Sequence, residues 1–363
     1  MANSEKSTFK LDRNIPLSTC TTIGLGGNAA HFATCASVDE LRQLLSFAKE
    51  KRIPVQVIGG GSNIIFADGG YPGVVCQVSL GGIAVEDNGE YAIVTAAAGE
   101  EWDAFVVSCI DHHFAGVECL SGIPGRVGAS PIQNVGAYGQ EVCNTIVSIK
   151  ALQRDTLALV EFRTGECHFG YRQSRFKSTD ADRFIITEVT FRLRKHGRPE
   201  IRYPELVKYL ESGTDLTRLE PGRPGLSVVR QGVLALRKKK SMLIDPSDPH
   251  ARSVGSFFVN PVLASREFED LKDRWGLSGH AEPIPAYPAG EQMKIPAAWL
   301  VEHAGFHRGY RAGKVGISPN HALALVNYGG TTRELLDLAR HIEEKVFETF
   351  TIRLAREPAI IKP

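Results

Sequence analysis

The chain has 363 residues, with 42 Lys and Arg against 41 Asp and Glu, 43% hydrophobic residues and a formal charge of +1 at pH 7. So even a balance offers no general attraction to nucleic acid or to an anionic membrane surface, and a small-molecule partner is the better expectation. The longest apolar stretches, 92–98 and 322–326, fall far short of the roughly 20 residues that cross a bilayer, and the polar N-terminus lacks the apolar stretch of a secretory signal. A cytoplasmic protein with no membrane span is expected.

In chain order, Gly24-Leu-Gly-Gly-Asn-Ala29 matches the dinucleotide fingerprint G-x-G-x-x-A only formally, since no apolar strand precedes it and no periodic helix follows. Ser37-Val-Asp-Glu40 is a capping box, and Leu41, Leu44, Leu45 and Ala48 recur at helical spacing, which predicts a helix over 38–51. Two β-rich runs, 55–58 and 64–66, flank Gly59-Gly-Gly-Ser-Asn63 as a strand-loop-strand unit, and strands follow near 74–78 and 92–98. Glu100 and Glu101 open a helix with an apolar face of Trp102, Phe105, Val106, Cys109 and Ile110. A turn-rich segment, 116–140, separates it from strands near 146–153, 157–163 and 184–194.

The polar run from Arg194 to Pro199 reads as a domain boundary. Beyond it the pattern predicts helices near 204–211, 227–239, 265–275 and 296–304 and strands near 256–259 and 322–327. A closing helix starts at the Thr331-x-x-Glu334 capping box, and a strand over 351–354 leads to Glu357. The seven cysteines, at 20, 35, 76, 109, 119, 143 and 167, include no C-x-x-C and no zinc-ligand spacing, so reduced thiols and no metal are expected.

Three glycines in 59–61 can turn successive N–H groups toward a pyrophosphate, with Ser62 and Asn63 as side-chain donors; the same residues also make an ordinary tight turn. Residues 121–139 carry five glycines and four uncharged polar side chains, a long loop of the kind that lies along a large ligand. Ser256, in Gly255-Ser-Phe-Phe, lacks the G-x-S-x-G setting of a hydrolase nucleophile. The basic run Arg237-Lys-Lys-Lys240 is either a solvated helix end or an anchor for a diphosphate.

Taken together and in order, Thr22-Ile-Gly24, Gly60-Gly-Ser-Asn63, Ile123-Pro-Gly through Gly136-Ala-Tyr-Gly139, Phe169-Gly-Tyr-Arg172-Gln-Ser-Arg-Phe-Lys177, Gly255-Ser-Phe-Phe through Asn260-Pro, and Glu357 resemble the UDP-N-acetylenolpyruvoylglucosamine reductases of peptidoglycan precursor synthesis. The resemblance implies an α+β fold with a two-part FAD-binding domain of the vanillyl-alcohol-oxidase/PCMH type, subdomains 1–78 and 79–195. A substrate-binding domain over 196–348 and a returning C-terminal strand over 349–363 complete it. It implies noncovalent FAD held around Gly59, Gly60, Gly61, Ser62, Asn63, Pro124, Gly125, Gly128, Ser130, Gln133, Asn134 and Gly136, with NADPH as co-substrate.

By the same resemblance Ser256 protonates C2 of the enolpyruvyl group, while Arg172 and Glu357 polarise the substrate carboxylate, Glu357 being delivered beside Arg172. Tyr203, which resembles the loop tyrosine of one subclass, joins Lys240, Asn260 and Tyr171 as UDP-sugar contacts. Arg356 stands where proline often precedes the glutamate, and Val259 where some members carry lysine. A monomer is expected. A flavin oxidase of the same architecture and a nonenzymatic nucleotide-sugar binder are the competing readings; purified protein that is yellow and releases its flavin in acid excludes the second.

Overall fold

The computed structural model describes residues 9–279 and 282–363; of the polar stretch read over 1–14, residues 1–8 lie outside them. The chain divides into two compact units. The first comprises residues up to Pro16, Asn28–Gly61 and Tyr71–Leu243, and the second Leu17–Gly27, Ser62–Gly70 and Ile244–Pro363.

In the first unit, Ser37 Oγ accepts from Glu40 N at 3.2 Å and starts α1, Val38–Lys51, whose Leu41, Leu44, Leu45 and Ala48 are buried as the spacing predicts. α1 links strand Asn28–Cys35 to strand Val55–Ile58. Both lie parallel to strand Tyr71–Val78, which sits between them in a four-stranded sheet edged by Asp12–Pro16. Cys76 Sγ donates to Cys35 Sγ at 3.7 Å on neighbouring strands, and none of the seven cysteines forms a disulfide.

A second sheet orders its strands Leu159–Arg163, Ile146–Gln153, Phe184–Lys195, Tyr91–Ala97 and Ile83–Asn88. α2, Trp102–Asp111, buries all five apolar residues expected of it; Trp102 and Phe105 pack on Phe191 of the long central strand. The strand Ile83–Asn88 escapes the sequence reading because all six of its residues are exposed; only its register with Tyr91–Ala97 makes it a strand.

The boundary expected at 194–199 is corrected, because the chain stays in the first unit to residue 243. α3, Pro204–Glu211, and α4, Arg223–Lys239, bury Leu206, Leu210, Val229, Val233 and Leu236 around Cys119. Arg230 of α4 also forks onto Asp103 of α2 at 2.6 and 2.8 Å. The polar run is a surface crossing within one compact unit.

The second unit packs α5, Ser265–Leu277, α6, Ala297–His303, and α7, Thr332–Phe350, around a four-stranded sheet. Its strands run in the order Ser253–Ser256, Ala324–Asn327, Val315–Ile317, Arg311–Ala312. The Thr331 capping box closes on Glu334 as expected, and Asp68 accepts from Thr332 N and Arg333 N at 2.7 and 2.9 Å. Residues 351–354 do not form the expected strand; two shorter ones, Ala355–Arg356 and Ala359–Ile361, follow them. The runs 55–58 and 64–66 are strands but not partners: the second pairs in parallel with Ala359–Ile361. Among the described residues no helix is long and apolar enough to cross a membrane, and no group of three or more His, Cys, Asp or Glu could hold a metal ion.

Burial opposes ionisation of Asp103, but the Arg230 hydrogen bond, the Gly122 N–H at 2.6 Å and the charges of Arg230 and Arg237 outweigh it and hold the carboxyl below its ordinary value. A depressed carboxyl stabilises the fold above the unfolded-state value and ceases to as pH falls through the folded one. Circular-dichroism melting from neutral to about pH 3 should show the wild type losing stability on acidification. Asp103→Asn should start lower and fall less steeply.

Candidate active site

Strand Val55–Ile58 runs into Gly59, Gly60 and Gly61, and this turn lies against the second glycine-rich segment of the same unit. A Cβ on Gly60 would stand 3.0 Å from Gly125 Cα, and one on Gly59 3.3 Å from Arg126 Cβ. At Gly60 the two main chains meet directly, Pro124 immediately preceding the contact at Gly125, while Gln77 Nε2 donates to Gly59 O at 3.3 Å. A glycine-to-glycine approach of this kind leaves room for the phosphates of a dinucleotide such as FAD beside the main chain.

The remaining polar residues of the segment brace it. Asn134, buried and at φ +47°, donates through Nδ2 to Glu141 at 2.9 Å and Gly170 O at 3.0 Å, and its Oδ1 accepts from Cys143 N at 3.1 Å. Ser130 Oγ donates to Val127 O at 2.8 Å, and Lys177 Nζ reaches Gln133 Oε1 at 3.4 Å. Gly128 is required by Ala98, whose Cβ would lie 2.5 Å from a new one, and Gly136 by Glu141. The side chain of Asn134 braces the loop through these bonds, and its place in the expected cofactor set is what the resemblance implies.

Residues 170–173 form a tight hairpin in which Gly170 and Gln173 exchange both main-chain hydrogen bonds, at 3.0 and 3.1 Å. Tyr171 and Arg172 are its two-residue tip, with Arg172 at φ +53°. The Arg172 guanidinium donates to Gly136 O at 2.7 Å and lies 5.4 Å from the Tyr171 ring centroid. Ser174 Oγ, at 2.5 Å from Ile132 O, fixes the hairpin to the glycine-rich loop. A non-glycine residue held in left-handed backbone at a hairpin tip is the kind of strain that marks functional positions.

Tyr203 precedes Pro204 at the start of α3, 41% exposed, its ring edge-on to Tyr138 at 5.5 Å. Lys240, at the end of α4, pairs with Glu205 at 2.5 Å and lies 5.9 Å from the Tyr138 ring. Burial pushes the Tyr138 hydroxyl up to about 12. Tyr138 is not among the residues singled out from the sequence; folding brings it to Tyr203, 65 residues on, and to Lys240.

In the second unit, Gly255 takes φ +76° inside strand Ser253–Ser256. Ser253 pairs with Val326 but Ser256 with Ala324, so three steps on one strand face two on the other. This bulge turns Ser256 out of the regular alternation, while Phe257 and Phe258 beyond it are fully buried. Strand Ala355–Arg356 pairs antiparallel with Phe258–Val259, and Glu357 N donates to Phe257 O at 2.9 Å. Ser256 and Glu357 are thus brought within one residue of each other along the ladder. Ser62 and Asn63 also belong to this unit, so the expected cradle divides after Gly61. Asn63 accepts from Ala359 N at 3.0 Å and donates through Nδ2 to Glu357 O at 3.4 Å. Asn260 Oδ1 accepts from Ala297 N at 2.8 Å, capping α6.

Residues 29–157 match the family described as FAD binding domain, and residues 246–361 the family described as UDP-N-acetylenolpyruvoylglucosamine reductase, C-terminal domain. The chain is 45% identical over 360 residues to UDP-N-acetylenolpyruvoylglucosamine reductase of Thermobifida fusca (strain YX), covering 98% of this chain and 99% of the relative. It is 41% identical over 351 residues to the reductase of that name from Streptomyces avermitilis, covering 95% and 93%. The crystal structure of UDP-N-acetylenolpyruvylglucosamine reductase from Thermus caldophilus shares the fold, with a TM-score of 0.65 at 21% identity over 97% of this chain and 99% of that one.

Gly60→Ala places its methyl against the Gly125 main chain, which has no flexible end to yield. The variant should purify with much less flavin absorbance and little change in far-ultraviolet circular dichroism. Full flavin content would show that the contact does not shape the cofactor path.

Proposed function

The chain belongs to the UDP-N-acetylenolpyruvoylglucosamine reductase family, and on that premise we propose that it reduces the enolpyruvyl ether of UDP-N-acetylglucosamine to UDP-N-acetylmuramate, with noncovalent FAD and with NADPH as electron donor. The observation that carries the reading is the Gly255 bulge that sets Ser256 beside the main chain of Glu357. FAD, when bound, supplies two-electron hydride chemistry that no amino-acid side chain provides. The glycine contacts at 59–61 and 124–125 suit its phosphates, with Gly128, Ser130, Gln133, Asn134 and Gly136 shaping the loop.

Reduction adds a hydride at C3 of the enolpyruvyl double bond and a proton at C2. Negative charge develops at C2 and its carboxylate between the two events. Ser256 Oγ donates the proton to C2 and regains one from solvent. Arg172, steadied by Gly136 O, takes the substrate carboxylate, and Glu357 shares a hydrogen bond with the developing enolate oxygen. Tyr203, Lys240, Tyr171 and Asn260 are assigned to the UDP-sugar, with Lys240 exchanging its bond to Glu205 for a phosphate oxygen. Seven unbridged cysteines suit a reducing compartment, and we place the enzyme in the cytoplasm as a monomer.

Ser256→Ala should leave flavin content and flavin reduction by NADPH intact in stopped-flow absorbance while abolishing reoxidation by the enolpyruvyl substrate. If flavin reduction itself collapses, the serine has another role.

Glu357→Gln keeps the side chain's size but removes its exchangeable proton. A fall in kcat of roughly 10²–10⁴, with flavin retained, is expected from an acid–base group. Wild-type kcat in this variant would make Glu357 a solvated carboxylate near the chain end.

A further inference from the structure

We propose that the ion pair between Glu343 and Arg356 is a positioning device for Glu357, an inference that rests on the role given to Glu357 above. The ladder that carries Glu357 is minimal: strand Ala355–Arg356 has two residues, and the four residues before it are irregular. So short a pairing has little stability of its own. What holds it is the Arg356 guanidinium, forked onto the Glu343 carboxylate at 2.6 and 2.9 Å, both side chains about three-quarters buried at 28% and 24% exposure. A planar two-bond fork fixes orientation as well as distance.

Glu343 sits in the middle of α7, next to Ile342, which with Leu335, Leu338 and Val346 is buried in the unit's core. The fork therefore ties the residue preceding Glu357 to a rigid helix. Arg356 grips α7 while its neighbour Glu357 is held separately, through its own N–H, to Phe257 O. On the other side, Ala359–Ile361 pairs with Ile64–Phe66 and Asn63 bonds to Glu357 O. The ion pair supplies the anchor upstream and the parallel strand the anchor downstream.

The test is steady-state kinetics on holoenzyme carrying Arg356→Ala, Glu343→Ala and both. Each single variant should lower kcat about tenfold, the scale of a displaced catalytic group. KM for the UDP-sugar, flavin content and the rate of flavin reduction by NADPH should hold. The double variant should be no worse than either single one, because both remove the same contact. Arg356→Lys keeps the charge but not the fork; it should fall between wild type and Arg356→Ala, and it carries the test if the alanine variant does not fold. Unchanged kcat in variants that fold, while Glu357→Gln is impaired, overturns the positioning role and leaves the proposed reaction standing. Additive losses, or losses shared by KM and flavin content, overturn it in favour of general stability. A silent Glu357→Gln removes the premise and the inference with it.

Discussion

The main-chain bond from Glu357 N to Phe257 O is the constraint on which the second unit's candidate chemistry depends. It joins residues a hundred positions apart and succeeds only because the strand on the other side of it is deformed. Phe257 N is already committed to Leu323 O at 2.8 Å, so this residue bonds outward to two different neighbours. The left-handed turn at Gly255 makes that possible by inserting one extra residue before Ser256. An L-residue with a Cβ is strained at that φ.

The first unit solves a different problem, how to keep a long glycine-rich loop in one shape. Its glycines do not act alike. Gly60 and Gly125 touch each other, whereas Gly128 makes room for Ala98 and Gly136 for Glu141. Glycine supplies freedom, and the order comes from Asn134, Ser130 and Ser174, whose bonds stitch residues 127–143 to the hairpin at 170–173. Loop composition in the sequence points to the proposed ligand path but does not separate the residues proposed to face it from those that hold the loop.

Helices with a complete local signal were legible. α7 carries the expected capping box, α1 keeps its Ser37 N-cap and the buried face spaced as read although Glu40 accepts from Ala36 N instead of Ser37 N, and α2 buries every apolar residue assigned to it. What failed lacked a local cause. The edge strand Ile83–Asn88 is exposed throughout, residues 351–354 alternate without forming a strand, and 55–58 and 64–66 are near in sequence yet pair elsewhere. The polar run at 194–199 looked like a linker because exposure and domain boundaries share a composition; the packing of α3 and α4 on Cys119 decides otherwise. Among the candidate residues, Ser256, Arg172 and Glu357 were found through ordered motifs, while the supports of Arg172 and Glu357, Gly136 O and the Glu343–Arg356 fork, arise only from folding.

Glu118 shows why an ionisable group is retained where burial opposes its charge. It is 1% exposed, and burial pushes its carboxyl above the ordinary value despite the hydrogen bonds it receives. Three donors from separate stretches converge on its two oxygens: Gly116 N at 2.7 Å, Gln140 Nε2 at 2.9 Å and Glu200 N at 3.4 Å. Gln140 in turn accepts from Cys119 N at 2.8 Å. The two carboxyl oxygens between them take all three donors, and an apolar residue of the same size would leave those N–H groups unpaired. The stretches it gathers are those leading to Tyr138, two residues before Gln140, and to Tyr203, three after Glu200. One buried carboxyl thus ties together the two stretches whose rings, Tyr138 and Tyr203, meet edge-on.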